Sequence, residues 1–492
     1  MNILLVNPET PSTFWSFKDA LKFVSKKSAE PPLGLITVAA MLPEDWNLKL
    51  IDTNVTTLND KDLLWADYVF LTGMNVHVNS IREIIRRCNK LGTKIVAGGP
   101  LFTTQHQDFL GIDHFILNEA EITLPLFLKD LENGNPKKIY ETGEFPDISL
   151  SPIPKWELLE KKKYASLSIQ YSRGCPYDCE FCSITMLNGR RPRTKTKEQF
   201  LTELNRLYKL GYRGSVSIVD DNFIGNKRQL KNEILPSLIK WQKEKKYPFN
   251  FVTEVSINLS DDDKLIKLMV DAAVTSVFVG IETPNEESLT ECGKSQNKQR
   301  NLLSSVKKLQ KSGMIVSAGF IIGFDHDPPD IFEQQIGFIR NSGIVSAMVG
   351  LLNAPNGTHL YKRLQKENRL VVNWSGNNMD GVTNIIPKMN YKDLIAGYSK
   401  VIHTIYSPGE YYKRIKSFLQ EYKVPTWKSQ MLTLTEIKAF FRLVWVIGIL
   451  EKGKRYFWKT FVYSLFKYPK KFPLAMTLAV YGYHFRRIAA TI

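Results

Sequence analysis

The chain has 492 residues, an ordinary apolar share of 43% and a formal net charge of +17. That length accommodates two or three domains with full cores, and that composition excludes wholesale disorder. Five cysteines, three of them inside eight residues, exclude a disulfide-stapled exported scaffold and point to a reducing cytoplasm.

Residues 1–140 alternate short apolar runs with helical periods. Met1 to Val6 reads as the start of a buried strand rather than an export leader. Further strands are expected at Leu48 to Asp52, Tyr68 to Thr72, Lys94 to Ala97 and His114 to Leu117. Helices are expected at Leu33 to Leu42, entered through Pro31-Pro32, at Asn79 to Leu91 and at Glu121 to Asp130. The pattern is that of a doubly wound parallel sheet. Ligands of such sheets lie beyond the carboxyl ends of the strands. Asn7, Gly73, Met74, Asn75, Gly98, Gly99 and Asn118 occupy those positions. His77 falls on one of these loops and reads first as a surface or loop histidine. Cys88 belongs to an amphipathic helix and reads as a small buried hydrophobe.

A Pro-, Ser- and acid-rich linker at 141–160 leads into a second alternating series at 161–370. Its six expected strands run from Leu167 to Tyr171, Ser215 to Val219, Phe249 to Val255, Ser276 to Ile281, Val316 to Ile322 and Ser346 to Leu352. Helical stretches separate them, and six such repeats describe part of a TIM-type barrel, with chemistry expected at the strand carboxyl ends. Immediately after the first of these strands comes Cys175-Pro176-Tyr177-Asp178-Cys179-Glu180-Phe181-Cys182. Three soft thiolates can bind three irons of a [4Fe–4S] cube and leave the fourth open. A zinc knuckle or three unrelated cysteines are the alternatives, but structural zinc takes four ligands and no nearby Cys or His supplies a fourth. Cys292, in a polar loop, is not assigned as a ligand.

Region 371–492 is helical by pattern and carries no chemical motif. From Glu451 onward it holds nine Lys/Arg and one acidic residue among Tyr456, Phe457, Trp458, Phe461, Tyr463, Phe466 and Tyr468. A basic aromatic mixture of this kind suits anionic lipid headgroups, or else a tail helix packed on the protein with its lysines in water. The basic residues are not gathered on one recognition-like helix, which argues against nucleic acid. The run from Phe440 to Leu450 contains Arg442 and is shorter than the roughly 20 residues of a spanning helix. Peripheral contact with the inner face of a membrane is the expectation, in a protein that is otherwise cytoplasmic.

The cysteine spacing, in its Gly-Cys-Pro and Cys-x-Phe-Cys setting, resembles the radical S-adenosylmethionine (radical SAM) superfamily. An α/β module ahead of such a core, with Pro31-Pro32-Leu33-Gly34 at its first helix, resembles the cobalamin-dependent branch. The whole chain, including Phe14-Trp15-Ser16-Phe17 and the basic aromatic tail, is similar to the subfamily containing bacterial hopanoid C-2 methylases. The resemblance implies a doubly wound Rossmann-like cobalamin domain, a partial (β/α)6 barrel and a mainly helical C-terminal domain. It implies a [4Fe–4S] cluster on Cys175, Cys179 and Cys182, S-adenosylmethionine on the fourth iron, and methylcobalamin. The Asp-x-His-x-x-Gly run that gives many cobalamin domains a histidine on cobalt is missing after the first strand.

By the same resemblance Asp220 or Asp221 would meet the SAM ammonium, and Glu254 or Glu282 its hydroxyls or amine. Gly319 and Ile322, in Gly319-Phe320-Ile321-Ile322-Gly323, would hold the adenine. One SAM would be cleaved to a 5′-deoxyadenosyl radical, the substrate radical would take a methyl group from cobalt, and a second SAM would remethylate the cobalamin. The implied partners are an apolar small molecule or lipid, hopanoid-like, and a reducing donor such as flavodoxin or ferredoxin. Cyclisation, oxidation or rearrangement on the same cofactors is the first alternative, and a basic iron–sulfur protein that binds or modifies RNA or a peptide is the second.

Overall fold

The computed structural model describes residues 1–371, 376–377, 380–425 and 434–492. The first sheet comprises β1 (Asn2–Asn7), β2 (Asn47–Asp52), β3 (Tyr68–Thr72), β4 (Lys94–Gly98), β5 (His114–Ile116) and β6 (Ile139–Tyr140). Its order is β2-β1-β3-β4-β5-β6 and every pairing is parallel. Alternate residues of β1 feed two separate cores, Leu4 and Val6 on one face and Ile3 and Leu5 on the other. A strand buried on both faces must be apolar throughout, which is why this run carries no polar alternation. The order reverses between β1 and β3, where doubly wound sheets open a crevice.

The second part contains β7 (Leu167–Ile169), a short antiparallel ribbon of β8 (Ser172–Arg173) and β9 (Arg193–Thr194), then β10 (Gly214–Ile218), β11 (Phe249–Val255), β12 (Val274–Glu282), β13 (Ile315–Ile322) and β14 (Ala347–Leu351). Apart from the ribbon these form one parallel sheet in the order β14-β13-β12-β11-β10-β7, with β7 and β14 as its open edges. On β12, Val277, Val279 and Ile281 are sealed against the outer helices, whereas Ser276, Phe278 and Gly280 face inward and are only partly covered. The barrel is therefore hollow. The helical stretch between β10 and β11 opens into a wide turn at Leu230–Ile234 before Leu235–Glu244. Pro236 has no N–H to return to the preceding turn, and the turn widens in response.

Helices Tyr391–Tyr406, Pro408–Glu421, Leu434–Leu443, Lys454–Lys467 and Phe472–Ala489 make up the C-terminal part. A wide helical turn at Val444–Leu450 continues the third of these. Residues 13–30, although they fall within the 1–140 segment, leave the first sheet and pack elsewhere. Phe14 stacks 5.6 Å from Phe485 and sits 5.4 Å from Tyr406, and Phe14 and Phe23 share one core with the barrel and the C-terminal helices. Buried His484 donates from Nε2 to the carbonyls of Thr13 (3.1 Å) and Phe14 (3.2 Å), and Arg442 donates to the carbonyl of Phe23 at 3.2 Å. At the far end of the stretch, Ala165 and Ser166 donate to the carbonyls of Ser28 (3.0 Å) and Ala29 (2.9 Å) beside β7. Tyr406, in turn, donates to the carbonyl of Ala347 on β14 at 2.5 Å. The stretch thus bridges the open side of the barrel.

Candidate cluster and cofactor site

Cys175, Cys179 and Cys182 lie on the loop between β8 and β9. Asp220, just past β10, accepts from the backbone N–H groups of Tyr171 and Ser172 at 2.7 Å each and from the Ser172 hydroxyl at 2.5 Å. Asp221 accepts from the N–H of Gly174 (3.1 Å) and the amide of Asn188 (3.0 Å). Burial raises both carboxyls, that of Asp220 to about 7. The two aspartates expected to meet SAM are thus engaged in bracketing the start of the cluster loop. Its far side is fastened by the Glu180 N–H on the carbonyl of Cys292 (2.9 Å) and by the Glu180 carboxylate on Arg363 (2.6 Å).

Burial pushes each of the three thiols upward, that of Cys182 to about 12, and Cys179 adds to the rise of Cys175 and Cys182. Amide donors point at two of the sulfurs: Asn222 Nδ2 lies 4.0 Å from Cys175 Sγ and Gln296 Nε2 lies 3.8 Å from Cys179 Sγ. Among the described residues no three His, Cys, Asp or Glu are gathered round one point as a single metal ion requires. A cube asks for a different arrangement, three thiolates around a volume and each on its own iron.

Glu282 ends β12 with a left-handed backbone (φ 64°), at an irregularity in its pairing with β13. Its carboxylate turns back over Gly280 and accepts from Lys294 Nζ at 2.5 Å. A Cβ at position 280 would fall on that carboxylate and within 2.6 Å of the ammonium, so any side chain there would push the pair aside. Burial would lower the Lys294 pKa, but Glu282 and then the Cys179 and Cys182 thiols hold it above the usual lysine range. Glu254 projects from β11 into the hollow, enclosed by protein yet with open surface, and its carboxyl is pushed to about 7 by burial and by the charges of Asp221 and Glu30. Gly319 also faces the hollow, but Ile322 is fully buried on the opposite side of β13, against the outer helices. Side chains alternate along a strand, so Ile321 is the one that faces the lumen.

At the edge of the first sheet Asn7 donates to Asp52 at 3.0 Å, and Asn118 (φ 62°) accepts from the N–H of Thr142 at 3.2 Å. Gly73, Gly98 and Gly99 allow close approach within the protein itself. A Cβ on the first would strike Ile81, on the second the carbonyl oxygen of Ile116 at 2.8 Å, and on the third Thr72 Oγ1 at 2.6 Å. Met74 keeps 52% of its surface open, and Asn75 begins the short turn that ends at His77. His77 is buried rather than at the surface: Nδ1 accepts from the Met74 N–H at 3.2 Å and Nε2 meets Thr10 Oγ1 at 3.1 Å. Burial pushes it down to about 4, so it is neutral at physiological pH.

The two sheets are joined where both carry these loops. Glu119, just past β5, lies 2.6 Å from Arg173 and 2.5 Å from Arg193, and Glu121 lies 2.8 Å from Arg173. Burial works against ionisation of Glu121, yet Arg173 keeps its carboxyl below the usual range.

Three family descriptions match the chain: "B12 binding domain" over residues 24–128, "Radical SAM superfamily" over 169–339 and "Domain of unknown function (DUF4070)" over 358–492. An uncharacterized methyltransferase of Synechocystis sp. is 40% identical over 99% of this chain and 91% of its own length. The hopanoid C-2 methylase of Rhodopseudomonas palustris is 34% identical over 93% of this chain and 88% of its own. The chain belongs to the cobalamin-dependent radical SAM enzymes. Among solved structures, the cobalamin-dependent radical SAM enzyme OxsB with aqua-cobalamin bound aligns with a TM-score of 0.62 at 17% identity, over 99% of this chain and 80% of its own. The methyltransferase TsrM of Kitasatospora setae aligns at 0.57 and 17% identity, over 74% of this chain and 78% of its own, which is likeness of fold.

The cofactors of cobalamin-dependent radical SAM enzymes are a [4Fe–4S] cluster, S-adenosylmethionine and cobalamin, and the residues present fit them. The cluster would take the three cysteines of a loop that is fixed at both ends. Cobalamin would sit at the β1/β3 edge without His77 on cobalt, since both ring nitrogens are engaged within the protein. Sequence reasoning missed Lys294, which lies beyond the short helix Glu286–Glu291 that follows β12 and is returned to the strand end only by the fold. It also missed the pairing of Glu119, on the ligand-side loop of the first sheet, with Arg173 and Arg193.

Proposed function

We propose that this enzyme methylates an unactivated carbon of an apolar, hopanoid-like lipid. The observation that carries the reading is the Glu119–Arg173–Arg193 junction, which ties a loop at the strand ends of the first sheet to the cluster loop. The 34% identity to a hopanoid C-2 methylase supports the substrate class. When bound, the cofactors supply hydrogen abstraction and a transferable methyl group. The protein's own part is orientation and exclusion of water. Asp220 and Asp221 fix the loop, Lys294 offers its ammonium to the SAM carboxylate, and Glu282 holds that ammonium in place. Phe278, lying against the backbone of Gly319, gives an apolar wall on which a lipid can lie.

Contact with a membrane belongs to the same reading. Ile437, Phe441, Trp445 and Ile449 recur every fourth residue and are 43%, 67%, 59% and 46% exposed, an apolar stripe on one helical face. Lysines and arginines of 452–471 flank it. Residues 426–433, just ahead of this stripe, lie outside the described residues. No described helix is long and apolar enough to cross a membrane.

The test is anaerobic reconstitution with iron, sulfide and cobalamin, then mass spectrometry of lipids incubated with methyl-labelled SAM and a low-potential reductant such as flavodoxin. Label in a lipid product is the expected result. A changed lipid without label would replace methylation by cyclisation, oxidation or rearrangement.

A further inference from the structure

Trp15 and Glu30 lie at the two ends of the stretch that bridges the barrel's open side, and both reach its interior. The Trp15 ring lies 4.8 Å from Phe278, and 47% of Trp15 remains uncovered. Phe278 lies against bare backbone, since a Cβ at Gly319 would come within 3.1 Å of its ring. Two aromatic rings and a glycine therefore line one part of the hollow.

Glu30 enters beside the opposite strands. The Ser168 hydroxyl donates to its Oε2 at 3.3 Å, and the Ser217 hydroxyl also bonds it. Ser168 and Ser217 are register partners on β7 and β10, so the carboxylate is held by two adjacent strands. Glu254 is the register partner of Phe278 and faces the same space. Among the described residues neither carboxylate meets a Lys, Arg or His within ion-pair distance. Both keep open surface although protein surrounds them. An enclosed acceptor with no cation is poorly placed against a pure hydrocarbon and well placed for a hydroxyl or amine.

We propose that Trp15 and Glu30 are substrate-positioning residues, Trp15 with Phe278 holding a flat apolar ring system and Glu30 accepting from a hydroxyl or amino group on that molecule. This rests on the reading of an apolar substrate above and narrows it to a rigid apolar body that carries a hydrogen-bond donor. The C-terminal helices acquire a role by the same geometry. Through His484 and Arg442 they hold the stretch that presents both residues.

The test uses full-length enzyme reconstituted anaerobically and two probes, a pentacyclic triterpene alcohol and the matching hydrocarbon, with affinities measured in detergent. Wild type is expected to bind the alcohol at least about tenfold more tightly, because a site built to bond a hydroxyl rejects the analogue that lacks it. Glu30→Leu should bring the two affinities within about twofold, by weakening the alcohol. Trp15→Ala should weaken both probes about tenfold, and Trp15→Phe should recover most of that loss. Iron content, cobalamin content and the thermal midpoint show whether each variant folds, and for a variant that does not, Glu30→Gln or Trp15→Phe supplies the comparison.

Equal wild-type affinity for both probes overturns the proposal, as does no saturable binding of the alcohol. Wild-type affinities retained in both Trp15→Ala and Glu30→Leu also overturn it. Failure of methyl label to reach any lipid would sink the methylation reading instead, leaving these affinities as measured.

Discussion

Glu119, at the edge of the first sheet, lies 2.6 Å from Arg173, two residues ahead of the first cluster cysteine. Both side chains are largely buried, at 7% and 15% exposure. An ion pair removed from water in this way is costly to break, because the surviving partner stays buried and uncompensated.

Glu119→Gln should therefore cost about 3 kcal/mol of stability. It should also speed loss of iron from the reconstituted enzyme, since Arg173 and Arg193 flank the cluster loop. Thermal midpoint and iron release with a chelator are the measurements. An unchanged rate of iron release would show that the junction does not brace the loop.

Replacing Cys179 by Ala should abolish bound cluster and 5′-deoxyadenosine formation, whereas Cys292→Ala should keep both. Cys292 is buried, and its thiol is raised by burial and by the Glu282 charge, so it behaves as a small hydrophobe. Iron and sulfide analysis of the two variants separates a ligand from a packing residue.

Lys294→Met and Glu282→Gln should each raise the SAM concentration needed for half-maximal 5′-deoxyadenosine formation about tenfold, with iron content retained. Because the two groups meet at 2.5 Å, their effects should not add. Additive losses in the double variant would mean that Glu282 contacts SAM independently of Lys294.

Glu254 makes stability fall as pH rises. Its carboxyl ionises near 4.5 in an unfolded chain and near 7 in the fold. Between those values the folded state binds more protons, so stability is lost toward neutral pH. Glu254→Gln should remove about 1 kcal/mol of that loss between pH 5 and pH 8, a modest figure because the carboxylate faces a space open to water. Asp220, raised in the same direction, keeps part of the slope. Denaturant midpoints at the two pH values decide it, and identical pH slopes for variant and wild type would contradict the assignment.

Flotation with phosphatidylglycerol vesicles should recover the wild-type protein at low salt and less of it at high salt. Phe441→Glu with Trp445→Glu should abolish flotation, since it places charge within the apolar stripe. Retention of the double variant on the vesicles would remove the stripe from membrane contact.

Both parallel sheets were legible in the sequence because strands buried on two faces are unbroken apolar runs, as in Ile3-Leu4-Leu5-Val6. Cluster binding was legible because three thiols in eight residues have few other uses. Ile322 was misread because a glycine-flanked run of Phe320-Ile321-Ile322 does not declare which alternate residue faces inward. Asp220 and Asp221 suggested ligands, but nothing local announces that their acceptors are taken by backbone N–H groups some 50 residues earlier. Trp15 and Glu30 were beyond reach for a similar reason. Their neighbours in space are far along the chain, and an aromatic residue in a turn carries no periodicity.

The bond from His484 to the carbonyl of Phe14 spans 470 residues. At about 5–20 residues per second a ribosome takes on the order of a minute to cover that distance. Until Phe472–Ala489 emerges, the carbonyls of Thr13 and Phe14 lack this clamp, while the parallel strands of the barrel can already pair. Closure of the barrel's flank by residues 13–30 is in this way ordered after the pairing of the strands that it covers.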